Sequence, residues 1–179
     1  MTNSAIAVRG NSLAKNVALV IGASLLISIC ARLSFPLPFT PVPFTLANFA
    51  LLAVGLVLGS KRGGLAGLLY LAYGAARVPV FSPASTGLFG VTGGYLWAFP
   101  LVAFVAGWIS ERGARTFLRN LVASVAGDLV LFLSGISWLF AFTHSWQRAL
   151  VLGGYWFVFA EVIKIMAAAG LATRIRRHN

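Results

Sequence analysis

The sequence predicts an all-α membrane protein of six transmembrane helices whose outer loops are ordered. Two observations carry this prediction. The 179 residues are 59% hydrophobic and only 9% charged, with a mean hydropathy of +0.90, values that a water-soluble domain with a polar surface does not reach. The apolar residues also fall into runs comparable with the roughly 20 residues that cross a hydrocarbon core. We therefore interpret residues 1–179 as a single integral membrane domain.

The six helices follow from the apolar runs and from the basic, Pro-rich or Gly-rich segments between them. The predicted ranges are 16–31, 46–59, 63–78, 92–109, 121–142 and 150–173. The second and third ranges are shorter than a full span. We expect these two helices to be tilted, bent or covered by the irregular segments beside them.

The basic residues predict how the helices are oriented. One set of alternate connections carries most of them: Arg9, Lys15, Lys61, Arg62, Arg112, Arg115, Arg119, Arg174, Arg176 and Arg177. The other set carries only Arg32, Arg77 and Arg148. The positive-inside rule then places both termini in the cytoplasm, with 1–13 as a cytoplasmic N-terminal segment and 174–179 as a basic cytoplasmic tail.

Two outer loops have unusual compositions. Pro36, Pro38, Pro41 and Pro43 fix φ and remove backbone donors, so this turn is predicted to be an ordered, extended cap, either a lid or an ordinary stiff connector. The second loop, residues 77–96, is rich in glycine and ends in "TGGY" at the start of the fourth helix. A helix N-terminus with exposed N–H groups suits an anion or a carbonyl oxygen.

Three ionisable residues lie well inside the predicted helices. They are Asp128, Glu161 and Lys164, and each costs about 2.5–3.5 kcal/mol at the centre of a membrane on insertion scales. Glu161 and Lys164 share one helix face, so they either neutralise each other, with Asp128 as an alternative partner for Lys164, or serve a ligand. The third acid of the chain, Glu111, falls in a basic loop and is interpreted as solvated.

Small residues form two stripes at helical spacing. Ala14, Ala18 and Gly22 line one face of the first helix, and Gly63 and Gly67 do the same in the third. Such faces allow helices to approach closely. Internal packing fits Gly63 and Gly67 well, whereas for the first helix a partner protein is an equal alternative.

Several function classes are excluded by what the sequence lacks. The net charge of +11 is scattered singly between apolar runs, which does not fit nucleic acid. There is no Walker A loop for ATP, no nucleophile with a base, and no multi-cysteine metal site, since Cys30 is the single cysteine. We therefore predict a protein that is not an enzyme and has no cofactor or metal.

Several blocks of the chain together resemble one known family. "PLPFTPVPFTL", "GLVLGSKRGGLAGLLYLAYGAARVPVF", "GVTGGYLWAFPLVAFVAGW" and "FAEVIKIMAAAGLA" are similar, in this order, to the BioY family of biotin-specific S components of energy-coupling factor (ECF) transporters. Two blocks depart from the usual pattern. "GVTGGY" replaces Gly-Pro-Thr-Gly-Gly-Tyr, and "FAEVIK" replaces Pro-Gly-Asp-x-x-Lys but keeps the carboxylate and the amine.

The resemblance implies an S-component-like bundle in a bacterial or archaeal cell membrane. It implies capture of biotin from the outer side, under the first outer loop, and delivery through a transmembrane coupling subunit and two ATPase subunits, which use the ATP. The stripe Ala14, Ala18 and Gly22 resembles the surface on which S components dock to the coupling subunit. A self-sufficient carrier that couples an ion through Asp128 or Glu161 is the alternative.

The chemistry of biotin suggests roles for the candidate residues. Glu161 can accept from the ureido N–H groups and Lys164 can donate to the ureido carbonyl, with Asp128 steadying Lys164. The "TGGY" amides or Arg77 are candidates for the carboxylate, although many members of the family have glycine at the position of Arg77. Aromatic side chains can cover the apolar ring: Phe44, Tyr70, Phe81, Tyr95 and Trp156. The predicted substrate-binding set is Glu161, Lys164, Asp128, Thr92, Gly93, Gly94, Tyr95, Arg77, Asn48 and Phe81.

Overall fold

The computed structural model describes residues 3–114 and 116–177, and side chains from 12 to 175 within them. These residues form seven α-helices, one π-helical turn and a two-stranded hairpin. The α-helices are α1 (Asn3–Arg32), α2 (Ala47–Leu58), α3 (Ser60–Ala75), α4 (Gly93–Glu111), α5 (Phe117–Thr143), α6 (Trp146–Leu150) and α7 (Val158–Arg177), and the strands are β1 (Ser34–Leu37) and β2 (Thr40–Thr45). The predicted helical membrane fold is confirmed.

The first helix is longer than predicted. It begins at Asn3 rather than at residue 16, because no proline interrupts 3–15 and a helix can continue beyond the membrane edge. Its apolar part, Ser12–Arg32, is long enough to cross a membrane. Arg115, the first two residues of the predicted segment 1–13 and the last two residues of the predicted tail 174–179 lie outside the described residues.

Three helices in the described ranges are long and apolar enough to span a membrane, and the bent pair α6–α7 brings the number to four. The other two predicted spans, α2 and α3, are short, as predicted, with 12 and 16 residues. Nine of the residues of α2 are buried, so this helix is enclosed by its neighbours. The six-helix prediction is consistent with this arrangement.

Glycines let α3 approach both α2 and α4 closely. A Cβ at Gly63 would lie 2.9 Å from the Cα of Gly55, and one at Gly67 would lie 2.8 Å from the Cα of Pro100. Both distances are shorter than real Cβ contacts, so only glycine fits there. The predicted internal packing of the α3 stripe is confirmed.

The last predicted helix, 150–173, is not continuous. Residues Val151–Tyr155 form a π-helical turn between α6 and α7, and the helix axis bends by 45°. Gly153 and Gly154 give this turn little helical preference, and the hydroxyl of Tyr95 donates to the Gly153 carbonyl over 2.8 Å. The bend therefore has a local cause and a tertiary contact that holds it.

The proline-rich turn is an antiparallel hairpin with Ser34 opposite Thr45 and Phe35 opposite Phe44. The sequence predicted an extended cap here but not the strand pairing, which depends on register. Prolines are tolerated because a two-stranded sheet has only edge strands. Thr40 Oγ1 donates to the Leu152 carbonyl at 2.5 Å, which joins the hairpin to the π-helical turn.

The C-terminus of α3 explains Arg77. The N–H of Arg77 donates to Gly74 and that of Val78 donates to Tyr73, which is the Schellman pattern that ends a helix. Arg77 occupies the left-handed position of this motif, with φ 63°, and its side chain is exposed. Glycine is the favoured residue there because it has no Cβ.

We expect Arg77→Gly to stabilise the protein by about 1 kcal/mol, the order of the cost of a Cβ in the left-handed region. Thermal unfolding in detergent measures this as a higher midpoint. Arg77→Ala removes the same charge but keeps the Cβ, so it is the matched control and should show no gain. If both variants raise the midpoint equally, the loss of charge, and not the loss of the Cβ, explains the gain in stability.

Candidate binding site

A pocket lies below the hairpin, among the helix ends that face it. Its roof consists of the hairpin and of the loop 76–92. Its lining residues come from nearly every element: Ala31, Val42, Pro43, Thr45, Ala47, Asn48, Tyr70, Ser82, Ser85, Thr92, Tyr95, Leu96, Phe99, Leu131, Phe132, Gly153, Phe157, Glu161 and Lys164.

Four polar side chains form a buried polar cluster at one wall of the pocket: Asn48, Asp128, Glu161 and Lys164. Asn48 Nδ2 donates to Asp128 Oδ1 over 2.6 Å and to Glu161 Oε2 over 2.7 Å. Lys164 Nζ donates to the other oxygen of Glu161 over 2.6 Å. The four side chains come from α2, α5 and α7, so the cluster joins three helices.

The amide oxygen of Asn48 is left without a partner. Asn48 is only 3% exposed, and within the described residues nothing donates to its Oδ1. Exchanging the amide nitrogen and oxygen would not remedy this, because the oxygen would then face two carboxylates. A buried acceptor in the wall of a pocket is therefore free for a donor from a ligand.

Lys164 is held from a second direction by an aromatic ring. Its Nζ lies 4.3 Å from the ring centroid of Phe44 on β2, which is cation–π distance. The ion pair with Glu161 is one of the alternatives that the spacing of these two residues left open. Asp128 makes no ion pair with Lys164, and it shares the Asn48 amide group with Glu161.

Hydroxyl groups line another part of the pocket. Thr92 Oγ1 lies 3.1 Å from Ser85 Oγ and 3.2 Å from Thr86 Oγ1, and it accepts from the Thr86 N–H. Ser82 Oγ donates to Ser34 Oγ of the hairpin over 2.8 Å. These rotatable hydroxyls can donate to an anion or a carbonyl oxygen.

Between the two polar regions the walls are apolar. Tyr70 stacks on Phe99 with ring centroids 5.6 Å apart, and Leu131 and Phe157 complete the walls. The cavity is small, with a volume of about 80 Å³. A ligand whose volume exceeds that of this cavity therefore has to displace part of the roof. No group of three His, Cys, Asp or Glu side chains in the described ranges is arranged to hold a metal ion.

The structure brings most of the predicted site residues together. Asn48, Thr92, Tyr95, Glu161 and Lys164 line the pocket, and Asp128 bonds to Asn48 from behind it.

Four of the predicted site residues lie elsewhere. Gly93 and Gly94 are packed against Leu88 and Trp138, and the amides of Thr92, Gly93 and Tyr95 already bond to protein oxygens. Phe81 packs edge-on against Tyr70, behind the lining, and the exposed Arg77 ends α3.

Sequence reasoning missed Ser82 and Ser85. The signal that could have found them is "SPAST", a stretch of the second outer loop with three hydroxyl residues. The prediction for this loop was based on its glycines. Trp156, one of the predicted covering aromatics, packs on Phe39 at the tip of the hairpin with centroids 4.6 Å apart. It therefore contacts the roof from outside the lining.

Comparisons with known proteins agree with this architecture. The family model described as the BioY family matches residues 1–179. The chain is 38% identical over 166 residues to the probable biotin transporter BioY of Pyrococcus horikoshii, covering 91% of this chain and 97% of the relative. It is also 38% identical over 155 residues to the biotin transporter BioY of Thermotoga maritima, covering 85% and 90%.

A solved structure shares the fold. It is the 2.1 Å crystal structure of the S-component for biotin from an ECF-type ABC transporter, with a TM-score of 0.83 over 93% of each chain. At 23% sequence identity, the likeness establishes the fold alone.

We expect Asn48→Ala to destabilise the folded protein by about 3 kcal/mol, because two charge-assisted hydrogen bonds are lost and two buried carboxylates face each other. Thermal unfolding in detergent is the measurement. Adding Asp128→Asn to this variant should recover part of the loss, since it removes one carboxylate. A double variant less stable than Asn48→Ala alone would show that the shared donor is not what matters here.

Proposed function

The chain belongs to the BioY family, and on this premise we propose that it is the biotin-binding S component of a vitamin uptake transporter. The observation that carries the proposal is the free Oδ1 of Asn48 in the pocket wall beside Glu161 and Lys164. This wall presents two acceptors and one cationic donor. The ureido ring of biotin presents two N–H donors and one carbonyl acceptor, the complementary set.

We place the ureido ring at the polar cluster. Its N–H groups donate to Asn48 Oδ1 and to Glu161, and its carbonyl accepts from Lys164. Because Lys164 already contacts Glu161 and Phe44, its ammonium is positioned before the ligand arrives. Asp128 does not touch the ligand in this arrangement and instead orients the amide of Asn48.

The remaining walls of the pocket then suggest where the thioether ring and the carboxylate of biotin lie. The thioether ring lies against Tyr70 and Phe99, and the carboxylate points toward the hydroxyls of Ser82, Ser85 and Thr92. These hydroxyls replace Arg77 and the "TGGY" amides as the proposed donors. No full cation is needed, since several hydroxyl donors can stabilise a carboxylate near water.

Biotin enters, on this proposal, from the side of the roof. The hairpin part of the roof is bonded to the π-helical turn by Thr40 and Leu152, and it is joined to the loop part by Ser34 and Ser82. The charge asymmetry supports an orientation with this roof outside the cell and both termini in the cytoplasm. Opening of the hairpin admits the ligand and its closure buries it.

Delivery requires a partner that supplies energy, and α1 offers the surface for it. Ala14, Ala18 and Gly22 are exposed, and a Cβ at Gly22 would meet nothing within 4 Å. Ala18 and Gly22 line an open groove shared with α2 and α7, so no other helix of the described residues packs on the stripe, which favours a partner over internal packing. We propose that an ECF transmembrane coupling subunit docks here and that two ATPase subunits drive transport.

The site predicts that the purified protein binds labelled biotin without any partner. Lys164→Ala should weaken this binding by about 2–5 kcal/mol, because it removes a donor and leaves Glu161 without its cation. Glu161→Gln should also weaken it clearly, since an amide N–H then faces the ligand's own donors. Equilibrium binding to folded protein is the measurement.

Arg62→Ala is the control for these variants, since Arg62 is remote from the pocket lining. It should bind biotin like the parent. If Lys164→Ala and Glu161→Gln also bind like the parent, the ion pair is only structural and the proposed site is refuted.

For the docking surface, we expect Ala18→Leu and Gly22→Leu to retain biotin binding and to impair ATP-dependent uptake in cells. Bulk on an exposed stripe keeps a partner helix away without entering the pocket. Uptake of labelled biotin is measured with the ECF subunits present. Normal uptake by both variants would contradict the proposed docking surface, and uptake without any ATPase would favour a self-sufficient carrier.

A further inference from the structure

A second concave surface lies between α1 and α3, on the outside of the bundle. This α1–α3 groove has a volume of about 880 Å³. Its lining is apolar over most of its length, with basic residues at one end: Leu13, Asn16, Val17, Val20, Ile21, Lys61, Arg62, Leu65, Leu68, Leu69, Ala72 and Tyr73. It does not share a residue with the pocket under the hairpin.

The length of the groove matches one leaflet of a bilayer. From Lys61 to Tyr73, α3 rises about 18 Å. One leaflet contributes about half of the roughly 30 Å hydrocarbon core. Leu65 and Leu68, both 53% exposed, lie along this stretch, so an acyl chain can lie against them.

The basic end of the groove has unneutralised positive charge. Lys61 and Arg62 make no ion pair and no side-chain hydrogen bond within the described part of the chain. The carboxylate at this end, Glu111, instead accepts from the N–H and the hydroxyl of Ser60. Two free cations at the mouth of an apolar groove are complementary to a phosphate joined to acyl chains.

We propose that the α1–α3 groove binds an anionic phospholipid, with its phosphate at Lys61 and Arg62 and an acyl chain along α3. Charge and shape act together in this site. A neutral headgroup gains little from the two cations, and a soluble phosphate gains nothing from the apolar walls. The site rests on its own residues and is independent of biotin.

Native mass spectrometry of the purified full-length protein tests this proposal. The probes are phosphatidylglycerol and phosphatidylcholine with the same acyl chains. We expect phosphatidylglycerol to be retained at least tenfold more strongly, since each basic residue near the lipid phosphate contributes substantially to binding. Equal retention of the two lipids overturns the proposal.

Matched variants separate the site from the general positive charge. Lys61→Gln with Arg62→Gln should lower phosphatidylglycerol retention about tenfold or more. Arg32→Gln with Arg148→Gln removes two exposed charges from the other end of the bundle and should retain the lipid like the parent. Equal losses in the two double variants would assign the effect to net charge and overturn the proposal.

Two further measurements test the groove and its occupant. Ala72→Trp fills the exposed groove without changing charge and should weaken lipid retention, whereas parental retention contradicts an acyl site. Glycerol phosphate should not displace the lipid, and displacement would show that the headgroup alone is bound. A dimer that breaks up when Lys61 and Arg62 are both replaced would identify the groove as an interface between copies instead.

Discussion

The structure depends on the need to satisfy three buried ionisable side chains inside an apolar bundle. Asp128, Glu161 and Lys164 are each at most 6% exposed, and charge in hydrocarbon is costly unless it is paired and hydrogen-bonded. One ammonium cannot neutralise two carboxylates by itself. Asn48 solves part of the problem because its amide nitrogen donates to both carboxylates. This solution commits both amide hydrogens and leaves the amide oxygen free, so a structural requirement creates a recognition group.

The helix packing follows from where Asn48 must be. The short helix α2 carries it into the centre, and α2 can be central only if its neighbours approach closely. A Cβ at Gly55 would lie 2.3 Å from the carbonyl of Ala103, and one at Gly127 would lie 2.9 Å from Leu52. Small residues thus bring α4 and α5 against α2, and the polar cluster is assembled as a consequence of that packing.

Much of this could be predicted from local sequence. The spacing of Glu161 and Lys164 placed them on one face and allowed their pairing, the prolines from Pro36 to Pro43 predicted an ordered cap, and Gly63 with Gly67 predicted close packing. Features that depend on distant contacts were not accessible. The hairpin register needs both strands, and the break at Gly153 is held by Tyr95, which is 58 positions away. Arg77 was misleading for a different reason, since its charge suggested a ligand while its backbone conformation ends a helix.

A second group of buried hydrogen bonds joins the helices at the end of the bundle far from the pocket. Asn120 Oδ1 accepts from Ser110 and its Nδ2 donates to Thr173, so α4, α5 and α7 are joined there by side chains. The same helix α5 carries Asp128, whose bond to Asn48 joins it to α2 below the pocket.

Helices fastened at two levels have little freedom to separate, because separation would leave buried polar groups without partners. The hairpin, by contrast, is held to the helical segments by a small set of side-chain contacts: Thr40 on Leu152, Phe39 on Trp156 and Phe44 on Lys164. On the proposed route of entry through the roof, the bundle beneath keeps the polar cluster in place while the roof moves.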